Sequence, residues 1–272
     1  MTATVETQSN EASAGGKTPL VELRNVGKSY GHIHALKDIS LRVHAGQVTG
    51  ILGDNGAGKS TLIKIIAGLH QQSDGELLVD GEPTKFSSPA DALDKGIATV
   101  YQNLAVVPLM PVWRNFFLGQ EVRKKSFPWS LDANAMRATT LAELSKMGIE
   151  LPDVDAPIGS LSGGQRQCVA IARAVFFGAR VLILDEPTAA LGVKQSGVVL
   201  KYITAAKEAG FGVVFITHNP HHAHMVGDHF VLLNRGRQKL DCTFDEITLE
   251  HLTQQMAGGD ELEALSHELG RK

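Results

Sequence analysis

Cysteine is scarce in this sequence. Among 272 residues there are two, Cys168 and Cys242, too few for a disulfide-stapled scaffold. Neither belongs to a C-x-x-C pair or a zinc-ligand spacing. A reducing, cytosolic setting fits that usage. Long apolar runs are missing too. No uncharged apolar stretch reaches the roughly 18 residues that read as a membrane-spanning helix, and residues 1–17 lack the apolar core of a secretory leader. An excess of either charge is also absent. Lys and Arg total 26 against 29 Asp and Glu, a net charge of −3. That balance argues against a chain whose main work is coating nucleic acid, while leaving room for a local basic patch. What remains is ordinary for a folded soluble chain: 43% hydrophobic and 20% charged residues, with 28 Gly and 10 Pro. At about 150 residues per domain, the length allows one large domain or one domain with a sizeable insertion, enough to bury an apolar core without staples. No internal repeat appears.

Residues 1–19 carry little apolar surface and read as a disordered tail. Patterned sequence begins at Leu20. Residues 20–26 alternate imperfectly and 38–43 alternate cleanly, predicting two strands. Residues 48–52 form a short, nearly all-apolar strand, 60–69 carry helical spacing, and 75–81 predict an edge strand. A strand at 97–101 leads into a section of different character. Between about residues 108 and 157 there are helical patterns, chiefly 132–147, with Pro and Trp in the connections, and the insertion they mark spans about 104–159. An α/β rhythm then resumes with helix 164–177, strand 180–184, helix 195–208 and strand 212–217. A hairpin around Asn234, Arg235 and Gly236 joins strands 230–233 and 237–240, and 244–256 look helical. Residues 257–272, with Asp260, Glu261, Glu263 and Glu268, read as a solvated polar tail. The expectation is one α/β unit over residues 20–256, with strands at the front and a helical insertion.

Three segments carry chemistry. Residues 53–61 fit G-x-x-x-x-G-K-[ST] between a predicted strand and a predicted helix. Gly53, Gly56 and Gly58 let the backbone wrap with its N–H groups, Asn55 among them, toward phosphate oxygens, and the helix start adds its dipole. Lys59 would neutralise the outer phosphates, and Ser60, followed by Thr61, would offer its hydroxyl to Mg²⁺. The apolar strand 181–184 ends in Asp185 and Glu186. Adjacent carboxylates repel unless a cation or proton sits between them. Asp185 would therefore hold the metal shell, and Glu186 would activate water. Alone, that pair also fits a solvated strand end. Residues 161–165, Leu-Ser-Gly-Gly-Gln, precede a helix with Ser162 as N-cap, while Gly163 and Gly164 leave N–H groups bare. One mononucleotide does not need two such termini from one chain unless the chain folds over it or a second copy supplies one. Gln102 and His218 end strands where they can reach a metal, a phosphate edge or water. Tyr30 could stack on a base.

Together these residues resemble the ATP-binding subunit of an ABC transporter over roughly residues 20–252. The phosphate loop, the LSGGQ signature and the strand ending in Asp185 and Glu186 occur in the family's order. Gln102 matches the Q-loop glutamine, His218 the switch histidine and Tyr30 the adenine-stacking aromatic. The resemblance implies a P-loop NTPase of ABC ATPase type, with an N-terminal antiparallel β subdomain and an inserted helical subdomain. It implies ATP and Mg²⁺, the metal held by Ser60, Gln102 and Asp185. It also implies a head-to-tail dimer in which Ser162, Gly163, Gly164 and Gln165 of one copy face the phosphate loop of the other. Transmembrane permease subunits would dock on the helical insertion, with Val112, Trp113, Phe116 and Phe117 as the expected receiving cluster or else as ordinary helical core. The chain would then sit peripherally on the cytoplasmic side of the membrane, with no nucleic-acid partner.

Residues 101–110, 115–119 and 185–193 resemble sugar importers of the ribose, xylose and fructose type, whose sugar-binding protein would be an indirect partner. Gly192 stands where most ABC ATPases carry Asp, a form that the sugar-importer group shares. Two other readings stay open: an ABC ATPase for another cargo, and a soluble ABC ATPase acting on nucleic acid or the ribosome. The distance from Lys59 to Glu186 leaves no room for the long coiled coil that repair proteins of the latter kind insert. His221, His222, His224 and His229 lack a completing Cys or carboxylate and read as structural or solvated. Cys168 reads as a small buried residue.

Overall fold

The computed structural model describes residues 18–257 apart from Pro152. The tails expected at 1–19 and 257–272 therefore lie, except for Thr18, Pro19 and Ala257, outside the described residues. The chain opens with β1 (Val21–Tyr30), β2 (Ile33–Val43), β3 (Val48–Leu52) and α1 (Lys59–Ile66). Next come β4 (Asp74–Val79), the short β5 (Glu82–Pro83), α2 (Pro89–Asp94) and β6 (Ile97–Val100). The middle holds α3 (Val112–Phe116), β7 (Arg123–Lys124), β8 (Phe127–Leu131) and α4 (Ala133–Lys146). After it come α5 (Gly163–Phe176), β9 (Val181–Asp185), α6 (Val193–Glu208) and β10 (Gly212–Thr217). Last are α7 (Pro220–Val226), β11 (His229–Asn234), β12 (Arg237–Thr243) and α8 (Leu249–Met256).

A six-stranded sheet, ordered β12-β11-β3-β10-β9-β6, forms the centre. Its strands run parallel except β12, which returns antiparallel along β11. The central strands are apolar and buried throughout, as parallel strands covered on both faces must be. Alternate residues serve the two faces. Leu182, Leu184, Val213 and Phe215 pack with α5 and α6, while Ile183, Val214 and Ile216 pack with α1 and the front strands. Those front strands form an antiparallel sheet ordered β2-β1-β4-β5. β1 and β2 run longer than their alternation predicts, because bulges near Leu23, Val26 and Lys28 shift the register and break the period of two. β4 is not an edge strand: it lies between β1 and the two-residue β5.

The helical section corrects one expectation. Val112, Trp113, Phe116 and Phe117 are buried, at 6% exposure or less, so they cannot receive a partner. Phe176 and Phe177, at the end of α5, close over Phe116 and Phe117 with ring centroids 5.5–6.1 Å apart. Asn115 is buried beside them and fastens the preceding loop. Its amide donates to the carbonyls of Val107, Met110 and Pro111 at 3.0–3.1 Å, and its Oδ1 accepts from the Val107 N–H at 2.8 Å. A second difference is the β7–β8 hairpin, where helix and connections were expected. Cys168 is fully buried in α5, and burial pushes its thiol up to about 12.

Candidate functional site

Parallel strands end together, and their carboxyl ends form the crevice where ligands bind in such sheets. β3 delivers residues 53–58, β9 delivers Asp185 and Glu186, β10 delivers His218, and β6 leads to Gln102. The register makes this concrete: Leu52 lies beside Thr217, Asp185 beside Ile216, and Val100 beside Leu184.

The loop after β3 depends on glycine at both ends. Gly53 has φ +144°, and a Cβ there would come 2.4 Å from the Leu233 carbonyl oxygen. Gly58 has φ +108°, and its Cβ would meet Leu36 at 2.7 Å. Gly58 is the N-cap of α1, where no side chain caps the helix, so its first N–H groups face the crevice without a side-chain acceptor. The Lys59 side chain folds back along the loop. Its ammonium donates to the carbonyls of Gly53 and, at 3.1 Å, Asp54. Burial lowers its pKa, and the charges of Glu186, Asp54 and Asp185 partly oppose that.

Asp185 and Glu186 are held differently. Burial first, and then the Glu186 charge, raise the Asp185 pKa, with Lys59 and Lys64 pulling the other way. Glu186 sits in the left-handed region at φ 49°, uncommon for a residue with a branched or long side chain and a sign that the surroundings enforce it. Its N–H donates to the Ile216 carbonyl at 3.0 Å. One carboxylate oxygen lies 3.8 Å from the Lys59 ammonium, and the other lies 2.9 Å from His218 Nδ1. Glu186 thus bridges a buried cation and an exposed imidazole. Behind it, His222 Nδ1 lies 3.0 Å from the hydroxyl of buried Thr188. The same short segment, from the end of β10 into α7, therefore grips the Glu186 loop at two points.

These groups surround a cavity of about 520 Å³. Asn55, Gly56, Gly58, Lys59, Ser60 and Thr61 line one side, and Gln102, Asp185 and Glu186 line the other. Gly53 contributes its carbonyl to Lys59, and His218 acts on the lining through Glu186. Tyr30 is not among the lining residues. It is 43% exposed, meets His70 edge-on at 5.8 Å and carries the Lys28 ammonium 5.1 Å from its ring. It does pair across the β1–β2 turn with Ile33, which lines the cavity. His34, Ala35, Arg235 and Gly236 line it as well, and sequence reasoning missed them. The turn of the β11–β12 hairpin is tied in by backbone: the Gly236 N–H donates to the Ala57 carbonyl at 2.9 Å, and the Lys37 N–H to that of Gly236 at 2.8 Å. The hairpin itself was legible, but its landing place is about 180 residues away along the chain.

The signature segment lies elsewhere. None of Ser162, Gly163, Gly164 or Gln165 lines the cavity. Ser162 and Gln165 close a reciprocal cap on α5. The Gln165 N–H donates to the Ser162 hydroxyl at 3.3 Å, and the Ser162 N–H to the Gln165 side chain at 2.9 Å. Gly163 and Gly164 have a packing reason within the chain too: Cβ atoms there would lie 2.7 Å from Leu191 and 3.2 Å from Gln195.

For a divalent cation, the cavity offers the Ser60 hydroxyl, the Gln102 amide oxygen and the Asp185 carboxylate. All are hard oxygen donors, which suit Mg²⁺. Among the described residues no three His, Cys, Asp or Glu side chains group as a metal site. A metal here would therefore draw its remaining ligands from a bound phosphate chain and water.

Comparison with known proteins agrees with this geometry. A family model described as ABC transporter matches residues 36–189. The chain is 43% identical over 237 residues to the xylose/arabinose import ATP-binding protein of Sulfolobus acidocaldarius, covering 87% of this chain and 93% of that protein. It is 40% identical over 248 residues to the fructose import ATP-binding protein of Rhizobium meliloti, covering 89% and 95%. A solved dimeric ATP-binding cassette in a post-hydrolysis state, bound to ADP and Pi, superposes with a TM-score of 0.69 at 28% identity, covering 82% of this chain and 98% of that one. The chain belongs to the ABC transporter family and has the α/β fold of its ATP-binding cassettes.

Proposed function

We propose that this chain hydrolyses ATP to drive import of a monosaccharide of the xylose, fructose or ribose kind through a membrane permease. The observation that carries the catalytic part is Glu186, held between Lys59 and His218 at the edge of a cavity lined by an uncapped helix start. Two near-full-length relatives named for pentose and fructose import support the cargo class.

The phosphate chain of ATP enters against the N–H groups of residues 55–61, where the α1 dipole and Lys59 favour negative charge. Lys59 is already oriented: its ammonium exchanges the Gly53 and Asp54 carbonyls for phosphate oxygens, regaining full charge stabilisation that burial otherwise erodes. Ser60, Gln102 and Asp185 would hold Mg²⁺, which when bound neutralises charge on the phosphates. Glu186 takes a proton from the attacking water as the bond to the terminal phosphorus forms, and ADP and inorganic phosphate leave. His218 keeps the carboxylate aimed. Tyr30, at the rim beside Ile33, offers its face to adenine.

One chain supplies half of each site. Ser162, Gly163, Gly164 and Gln165 lie outside the cavity of their own chain, and a second copy, head to tail, brings them over the phosphates. Permease subunits dock in a different place from the buried aromatic cluster. A cleft of about 760 Å³ runs between α2, β6, the loop after Gln102 and α5, directly behind the Q-loop. Docking there puts the chain on the cytoplasmic face of the membrane as a peripheral subunit, with a sugar-binding protein as an indirect partner.

The test is co-purification with permease subunits, followed by ATP turnover in vesicles with xylose-, fructose- and ribose-loaded binding proteins. Stimulation by one of them is expected. Turnover indifferent to every sugar, with the permease present, would overturn the cargo assignment and leave the ATPase standing.

A further inference from the structure

The β7–β8 hairpin has no part in the cavity, and its surface is unusual. Trp129 is 84% exposed and Phe127 58% exposed. They are two residues apart on one strand and so share a face. Lys124 pairs directly with Phe127, and Lys125 occupies the two-residue turn with Ser126. Arg123 precedes them, so the hairpin presents three consecutive cations beside two large aromatic rings. The carboxylates that flank it in sequence are engaged locally: Glu121 accepts from the Gly119 N–H at 3.1 Å and faces Arg123 and Arg114, and Asp132 accepts from the Ala135 N–H at 3.0 Å.

The base of the hairpin is fixed while its tip projects. The Asp132 N–H donates to the Val122 carbonyl at 2.8 Å, the Val122 N–H meets Met136 sulfur at 3.4 Å, and Leu131 packs on the main core. Leu118, Gly119 and Gln120, a few residues before β7, line the 760 Å³ cleft. The hairpin therefore stands at the rim of the surface assigned above to the permease.

Exposed Trp beside Lys and Arg is the chemistry of a membrane–water interface. The ring settles among headgroups and the cations meet lipid phosphates. Protein-binding patches, by contrast, are depleted in Lys at their centres. We propose that the β7–β8 hairpin rests on an anionic phospholipid headgroup layer, with Trp129 and Phe127 at headgroup level and Lys124 and Lys125 on lipid phosphates. This inference rests on the reading that the chain works at the cytoplasmic face of a membrane, and it gives that face a direct lipid contact beyond the permease.

The sequence has two tryptophans, and Trp113 is buried, so a change in intrinsic emission on adding vesicles reports on Trp129. The purified full chain is mixed with phosphatidylcholine vesicles with and without phosphatidylglycerol. A blue shift and co-sedimentation are expected with the anionic vesicles alone, weakening as salt rises. Both should be lost in K124E/K125E, and the shift should be lost in Trp129→Ser. These positions are exposed, and ATP turnover of the variants should match the unaltered chain, which separates this test from that of the ATPase reading. No response to anionic vesicles, an equal response to neutral ones, or full retention in K124E/K125E would overturn the proposal. So would a shift that appears only when permease is added in detergent, since the partner would then be protein.

Discussion

Two helices of this chain begin at glycine-rich segments and treat their first N–H groups in opposite ways. α1 starts at Gly58 in the left-handed region with no side-chain cap, against a cavity holding a buried lysine and two carboxylates. α5 starts at Ser162 with a reciprocal cap that engages the Ser162 and Gln165 N–H groups, and no cavity of its own. The first is left open toward a cavity by its own sequence; the second is closed in part by its own side chains, with the Gly163 and Gly164 N–H groups outside the cap. A helix start that stays open must be stabilised elsewhere, here by the Gly236 N–H that donates to the Ala57 carbonyl of the loop. A helix start that carries its own cap is stable alone, and on the proposed function this one meets the phosphates only when a second copy approaches. On the function proposed above, binding belongs to one chain and catalysis to two.

The largest effect expected is at Glu186. Glu186→Gln should lower ATP turnover by roughly 10²–10⁴-fold, the usual worth of a positioned general base, with nucleotide affinity retained in a binding titration. Lys59→Ala should come next, weakening nucleotide binding by about ten- to a hundredfold, the value of one hydrogen bond to a charged group. Were Lys59→Ala to leave affinity intact, the open terminus would not be the receptor. At the closed terminus, Ser162→Ala should cost about 1 kcal/mol of stability through the lost cap and reduce turnover, while leaving nucleotide affinity of the single chain unchanged. Weakened single-chain affinity would merge the two termini into one site and break the comparison.

The smallest effect concerns pH. Burial, and then His221 and His218, depress the His222 pKa from its ordinary 6.5, so the folded chain favours the neutral ring that meets Thr188. Its contribution is fully present above that ordinary value and is lost as pH falls below it, because the unfolded chain takes up the proton first. Thermal unfolding of wild type should therefore drop more on acidification than that of His222→Asn. Equal slopes would remove His222 from the support of the Glu186 loop.

How much of this was legible in the sequence follows from range. β3, β9 and β10 read correctly because buried parallel strands are continuous apolar runs, and the turn from β3 into α1 read correctly because its glycines are local requirements. β1 and β2 read short because bulges hide alternation. Val112, Trp113, Phe116 and Phe117 stayed open between docking cluster and helical core, because their spacing marks an apolar helix face without saying what covers it. The cover, Phe176 and Phe177, comes from sixty residues away. Arg235 and Gly236 were invisible at the cavity for the same reason, although their turn was not. The aromatic hairpin was missed because a five-residue strand with Pro, flanked by cations, carries too little pattern to register.

A site divided between two copies makes association depend on ATP, and one measurement addresses this directly: the solution mass of Glu186→Gln by light scattering, with and without ATP and Mg²⁺. The mass should double on adding ATP, and Glu186→Gln combined with Ser162→Arg should bind ATP yet keep the monomer mass. An ATP-loaded Glu186→Gln that stays monomeric, or a Ser162→Arg combination that still doubles, would contradict the account.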